Sequence, residues 1–181
     1  MKIYKIGIIG CGGIAQKMAA TLEKMKGVER YAVASRNQEK AEAFANKWGF
    51  TKAYGSYEEL ASDPEVDLIY IATPHAMHYD NAHMCIEKGK PVLCARQAED
   101  LLAFAKEKGV FITEAIWTRY MPLSLKIQEL LKEGVIGTPY TLSANLSYPI
   151  SNKERIIRPE LAGGALLDIG VYTLNFAAMA F

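Results

Sequence analysis

Charge of one sign is what this 181-residue chain most plainly lacks. Lys and Arg number 21 against 20 Asp and Glu, a formal charge of +1. That balance gives no electrostatic case for nucleic acid or an anionic membrane as partner, and a small, nearly neutral ligand is the default. Cysteine is scarce. Cys11, Cys85 and Cys94 are an odd number with no CxxC pair, which excludes a disulfide framework and suits reduced thiols in a cytoplasmic protein. Uninterrupted apolar length is also missing. ALLDIGVYTLNFAAMAF carries Asp168 and Asn175 and reads as a buried helix, not a membrane span. MKIYKIGIIGCGGIA has a charged start, but glycines break its apolar run and no cleavage pattern follows, so it reads as a first strand. There is no internal repeat and no low-complexity segment.

What is present is alternation. β-branched runs (IYKIGII, VERYAVAS, TKAY, DLIYIAT, PVLC, VFITEA) are separated by segments of helical period such as GGIAQKMAATLEKMKG and NQEKAEAFANKWG. Strands joined by helices need crossovers, so the sheet is expected to be parallel and covered on both faces, a doubly wound α/β domain over residues 1–115. The rhythm then changes. MPLSLKIQELLKEGVIG predicts an amphipathic helix closed by Gly137, TPYTLSANLSYP a strand, and SNKERIIRPELAGG a polar loop before a last helix. Residues 116–181 therefore read as the beginning of an α+β domain whose open sheet is truncated, because one strand is not stable without neighbours.

Gly10-Cys11-Gly12-Gly13-Ile14-Ala15 follows the first predicted strand and opens the first predicted helix, the context in which a GxGxxG/A match is informative. Gly10 permits the tight turn, Gly12 a close approach of backbone to pyrophosphate, and Ala15 close packing of helix on strand, the Rossmann arrangement. An NAD site usually ends its second strand in an acid. Here the strand ends Ala34-Ser35-Arg36-Asn37. Arg36, with Ser35 and Lys40, suits a 2′-phosphate and so NADP, with NAD the alternative; two solvated basic side chains at a helix start would look the same.

Thr73-Pro74-His75 ends the fourth long strand, with His78 and His83 following on a helix. HxxH without supporting cysteines or carboxylates is not read as a metal site. Pro74 is expected to shape a loop beneath a cofactor, His75 and His78 to lie near it, and His83 to sit on the helix surface. Asp168 and Tyr172 are four apart in GGALLDIGVY. They suit an orienting carboxylate and a proton-transferring phenol in a polar cleft, and equally an Asp favoured by the helix dipole beside a packing Tyr. Trp117 and Arg119 lie in EAIWTRY after the last strand of the first domain. They suit a sugar or aromatic ring, with interdomain core the other reading of Trp117.

In GIIGCGGIA, AVASR, ATPHAMHYDNAHMCIEKGKPVLC, GVFITEAIWTRYMP and GGALLDIGVY, the chain resembles the glucose-fructose oxidoreductase and inositol dehydrogenase family. It is most similar to the branch of dimeric dihydrodiol dehydrogenases and NADP-dependent xylose dehydrogenases. The resemblance implies NADP on Gly10, Gly12, Gly13, Ile14, Ala15, Ser35, Arg36, Lys40, Thr73, Pro74, His75 and His78. It also implies catalytic positions at Asp168 and Tyr172, substrate contacts at Trp117 and Arg119, and a homodimer built through the second domain. The implied activity is hydride transfer between nicotinamide and a hydroxyl-bearing carbon of a sugar or cyclic diol. One motif departs. Where the family has Glu-Lys-Pro and a loop bearing its principal catalytic lysine, this chain runs Cys94-Ala95-Arg96-Gln97, about seven residues short of the family spacing. A lysine-bearing loop between Cys94 and Ala95 is expected to be absent from the sequence as written. A non-catalytic NADP-binding regulator or sensor that has lost that lysine is the rival reading.

Overall fold

The computed structural model describes residues 2–94, 99–150, 152–158 and 163–181. They form two compact units, residues 1–115 and 116–181.

In the first unit, strands β1 (Tyr4–Ile9), β2 (Val28–Ala34), β3 (Lys52–Tyr54), β4 (Leu68–Ile71), β5 (Val92–Cys94) and β6 (Ile112–Glu114) alternate with helices. The helices are α1 (Gly13–Leu22), α2 (Gln38–Trp48), α3 (Tyr57–Ser62), α4 (His78–Glu87) and α5 (Glu99–Glu107). The sheet is parallel throughout, in the order β3-β2-β1-β4-β5-β6. The expected doubly wound sheet is therefore present. Side chains on a strand alternate between faces. Ile6, Ile8 and Val33 accordingly face a core with Ala15, Ala19 and Leu22 of α1 and Phe44 of α2. Ile9, Ala34, Ile69 and Ile71 face the opposite core with Leu60 of α3, Ile86 of α4 and Leu101 of α5. The strand order reverses between β1 and β4, the switch point where such sheets open a crevice at the carboxyl ends of their strands.

Helix starts in this unit differ in a way that matters for the site. Helix α2 is capped by the Asn37 side chain, which accepts from the Lys40 backbone N–H at 2.8 Å, and Gly49 at φ +68 closes its other end. Helix α3 is capped by Ser56, whose hydroxyl accepts from the Glu59 N–H at 3.1 Å. Helix α1 begins at Gly12 with no side-chain cap and no acid in its first turn.

Away from the crevice, Asp63 closes α3. Burial alone raises its pKa, but hydrogen bonds from Tyr54 and Lys52 and from the Glu65 backbone N–H outweigh burial and hold the carboxyl at about 2 against its usual 3.8. Tyr54 Oη lies 2.6 Å and Lys52 Nζ 2.9 Å from Oδ2. A depressed carboxylate contributes stability above its unfolded pKa and loses it as pH falls through the folded value. Asp63→Asn is thus expected to cost about 2 kcal/mol at pH 7, a gap that closes between about pH 4 and pH 2. Urea melts of both proteins across that range check it; a gap independent of pH would show the carboxylate charge to be idle.

The second unit contains α6 (Pro122–Lys132), α7 (Glu154–Ile157), a π turn over Leu166–Gly170 and α8 (Val171–Ala180). Two expectations are corrected. Helix α6 ends at Lys132, not at Gly137: Gly134 at φ +70 stops it, and Gly137, also at φ +70, closes a further turn onto the Gly134 carbonyl. Residues 138–150 form no strand, since ladder bonds require a neighbour that the described residues do not supply.

Candidate active site

The glycine turn grows from the end of β1 at the switch point. The Gly10 N–H donates to Ala34 O at 2.9 Å, and the Ala72 N–H to Ile9 O at 2.8 Å, tying the turn to β2 and β4. Gly10 has φ +101, and a Cβ there would lie 3.0 Å from Ala72 O and 3.3 Å from Thr73 N. Only glycine accepts both the dihedral and the backbone pressed against it. Gly12 and Gly13 are the opposite case: exposed, with nothing within 4 Å of where a Cβ would stand. Ile14 is half-exposed and Ala15 fully buried against the sheet. The first N–H groups of α1 are thus left without a side-chain partner beside open space, at the positive end of the helix dipole, which is the arrangement that receives a phosphate.

At the end of β2, Ser35 is buried and its Oγ lies 3.4 Å from the Asn37 N–H, while Arg36 and Lys40 are exposed. The strand end itself, Ala34-Ser35-Arg36-Asn37, carries no carboxylate. Two further groups gather here. Burial pushes the Tyr57 phenol up in pKa, with the Arg36 guanidinium opposing it. Burial likewise pushes the Cys11 thiol up, with the Lys40 charge and a hydrogen bond to Ser35 opposing it. Cys11, Ser35, Arg36, Lys40 and Tyr57 therefore share one neighbourhood. Tyr57 was not singled out in the sequence. The signal for it is topological: β3 pairs with β2 in parallel, Ala34 opposite Tyr54, so the turn after β3 must lie beside the turn after β2.

Beyond β4, Thr73 and His78 are buried, Pro74 is exposed and His75 half-buried. His78, expected at the cofactor, places Nε2 2.8 Å from the Thr73 carbonyl, and its ring meets that of His75 edge to face at 5.2 Å. His83 is more than a surface histidine: its ring stacks on Phe104 with centroids 4.2 Å apart. Among the described residues, no three His, Cys, Asp or Glu side chains converge as metal ligands, and no helix is long and apolar enough to cross a membrane. The Cys85 thiol is pushed up to about 12 by burial, with Cys94 adding to the shift, so it is a core group and not a nucleophile.

In the second unit, Trp117 is exposed and its ring meets that of Tyr172 at 63° with centroids 6.2 Å apart. Arg119 and Tyr172 line a cavity of about 260 Å³ with Thr118, Ser124, Asn175 and Phe176. Asp168 lies within the π turn, its N–H donating to Gly164 O at 3.2 Å, and Tyr172 is in the first turn of α8. A π turn is a form common at functional sites. The junction between Cys94 and Ala95, where an unrecorded lysine-bearing loop is expected, borders residues 95–98, which lie outside the described residues.

A parallel sheet in this order, with an uncapped glycine-led helix at its switch point and an acid-free second strand end, defines a dinucleotide-binding α/β domain. Residues 4–115 match the model of the GFO/IDH/MocA oxidoreductase family, NAD-binding Rossmann fold, and residues 124–181 match the GFO/IDH/MocA C-terminal domain. The chain belongs to that family.

Its relatives include a trans-1,2-dihydrobenzene-1,2-diol dehydrogenase of Xenopus laevis, 40% identical over 186 aligned positions that cover 98% of this chain and 56% of the relative. They also include a D-xylose 1-dehydrogenase (NADP(+)) of Hypocrea jecorina, 41% identical, covering 95% of this chain and 51% of the relative. Among solved structures, an NAD binding oxidoreductase from Klebsiella pneumoniae is similar with a TM-score of 0.83 at 29% identity, covering 98% of this chain and 53% of that one. A variant of a 3-ketoreductase from Actinomadura kijaniata, in complex with TDP-benzene and NADP, is similar at 0.80 and 30%, covering 98% and 56%. The chain spans about half the length of the curated relatives it matches. The 186-position alignment is longer than the chain's 181 residues, so the Xenopus relative carries positions with no counterpart here.

Proposed function

We propose that this chain is part of an NADP-dependent oxidoreductase that moves a hydride between the nicotinamide ring and a hydroxyl-bearing carbon of a sugar or cyclic diol. The observation that carries the reading is the pairing of a bare α1 start with Arg36 and Lys40 at an acid-free end of β2. The names of the relatives, a diol dehydrogenase and an NADP-linked xylose dehydrogenase, support the substrate class.

The residues present fit the cofactor. The α1 amides at Gly12 and Gly13 receive the pyrophosphate, Ser35, Arg36 and Lys40 the 2′-phosphate, and the Thr73-Pro74-His75 turn supports the other half. When bound, NADP supplies the hydride acceptor or donor. The chain's own part is to bind, orient and manage the proton: Tyr172 takes or returns the proton of the substrate hydroxyl and Asp168 orients it. Trp117 and Arg119 contact the substrate. The protein works in the cytoplasm and, through its second domain, as a homodimer.

Fluorescence titration with NADPH, followed by assay against a panel of pentoses and cyclic diols, tests the reading. NADPH binding with turnover of one of these classes is the expected result. Binding without turnover would favour the non-catalytic NADP-binding regulator, a reading that the lysine-free stretch from Cys94 to Glu99 keeps in play. No binding would sink both.

A further inference from the structure

We propose that Asn81 is a positioning residue for this nucleotide site, holding the Thr73-Pro74 turn in the shape that receives the nicotinamide half of the cofactor. The inference rests on the dinucleotide reading above.

Thr73 is gripped twice from α4. Its hydroxyl accepts from Asn81 Nδ2 at 3.0 Å, and its carbonyl lies 2.8 Å from His78 Nε2. A carbonyl oxygen only accepts, so that ring nitrogen carries its proton. All three residues are buried, with Thr73 and Asn81 each 7% exposed and His78 3%. His78 and Asn81 are one helical turn apart, on the face of α4 that also buries Ala82, Cys85 and Ile86. The grip is therefore anchored in the core beneath the sheet.

An amide on that face needs a reason. Asn is a poor residue for a helix interior, and an apolar side chain would pack there without the cost of burying an amide. The partner Asn81 serves is the hydroxyl at the joint of the turn. Pro74 has its φ fixed by its ring and stands at −56°, so Thr73 is the adjustable residue between β4 and the loop, and α4 holds it on two sides.

The position of Thr73 also bears on the glycine turn. A Cβ at Gly10 would meet Thr73 N at 3.3 Å, so the two backbones are in near contact and a displaced Thr73 has no slack there. In a sheet of this order the β1-β2-β3 half takes the adenosine end of a dinucleotide and the β4-β5-β6 half the nicotinamide end. Loss of the Asn81 grip should therefore be felt at one end of the cofactor only.

The experiment compares NADPH with 2′,5′-ADP, which carries the adenosine half and the 2′-phosphate alone, in equilibrium titrations of the full chain. In Asn81→Ala the dissociation constant for NADPH is expected to rise about tenfold, the size of one buried hydrogen bond, while that for 2′,5′-ADP stays within about twofold. Thr73→Val removes the same bond from the other side at nearly constant size and is expected to reproduce the pattern. Thr73→Ser keeps the hydroxyl and is expected to restore NADPH affinity. Thr73→Val is also the deciding variant if Asn81→Ala lowers the melting temperature. Parallel weakening of both ligands, or no change in either, would overturn the positioning role. An unmodified chain that binds neither ligand would overturn the dinucleotide reading itself, a distinct result.

Discussion

Gly12→Val is expected to leave the melting temperature of the ligand-free chain unchanged and to weaken NADPH binding by on the order of a hundredfold or more. The reason lies in the geometry of a single position. Gly12 has φ −84 and ψ −171, ordinary extended backbone, and open space where a Cβ would stand, so valine is accommodated without strain. The space it would fill is the space before the uncapped N–H groups of α1. A phosphate held by two or three such donors gains roughly 1.5–3 kcal/mol from each charged hydrogen bond, and a branched side chain in front of them forfeits most of that.

Gly10→Ala makes the contrast. There φ is +101 and backbone atoms of Ala72 and Thr73 stand 3.0 to 3.3 Å from the new methyl carbon. The cost is therefore expected in the fold itself, about 2–3 kcal/mol, seen as a lower melting temperature before any ligand is added. Calorimetry and NADPH titration of both variants check the pair. If Gly12→Val bound NADPH normally, the helix start would not be the phosphate site.

Arg36→Glu carries the second large effect. Arg36 is exposed at the end of β2, where Ser35-Arg36-Asn37 carries no carboxylate, and Lys40 is exposed in the first turn of α2 beside Glu39. Guanidinium offers a bidentate, charge-assisted grip on a phosphate group. Replacing it by a carboxylate removes that grip and sets two negative charges against each other, so NADPH affinity is expected to fall about a hundredfold. NADH has hydroxyls where NADPH has the phosphate, and a carboxylate at a second-strand end binds ribose hydroxyls. NADH affinity is therefore expected to hold or rise. Titrating both nucleotides at low and high salt is the check, because the NADPH loss should shrink as salt screens the exposed charges. Equal losses for the two would place Arg36 outside the 2′-phosphate site.

Burial explains why some of the site escapes a reading of the residues alone. The glycine turn and the ending Ala34-Ser35-Arg36-Asn37 are contiguous, and their chemistry can be read off in order. Asn81 and Tyr57 cannot be read that way. Each matters through a neighbour that folding supplies, Thr73 back across the β4–α4 turn for one and Arg36 across the β2/β3 pairing for the other. His78 follows a strand end closely, and the contact of its ring with the Thr73 carbonyl depends on how the turn folds back on α4. The π turn at Leu166–Gly170 has the apolar and glycine pattern of a plain helix start, and nothing local distinguishes the two.

Local pattern was enough to determine the first domain's elements. Period-two and period-3.6 apolar spacing, side-chain caps at α2 and α3 and their absence at α1 are short-range properties, decided by which backbone groups a residue can satisfy within a few positions. Tertiary structure alone decided whether residues 138–150 became a strand, where the Thr73 turn is held, and which side chains gather around Arg36. A ladder hydrogen bond needs a partner strand, and a buried polar contact needs the folded path that brings its two groups together, and local spacing fixes neither.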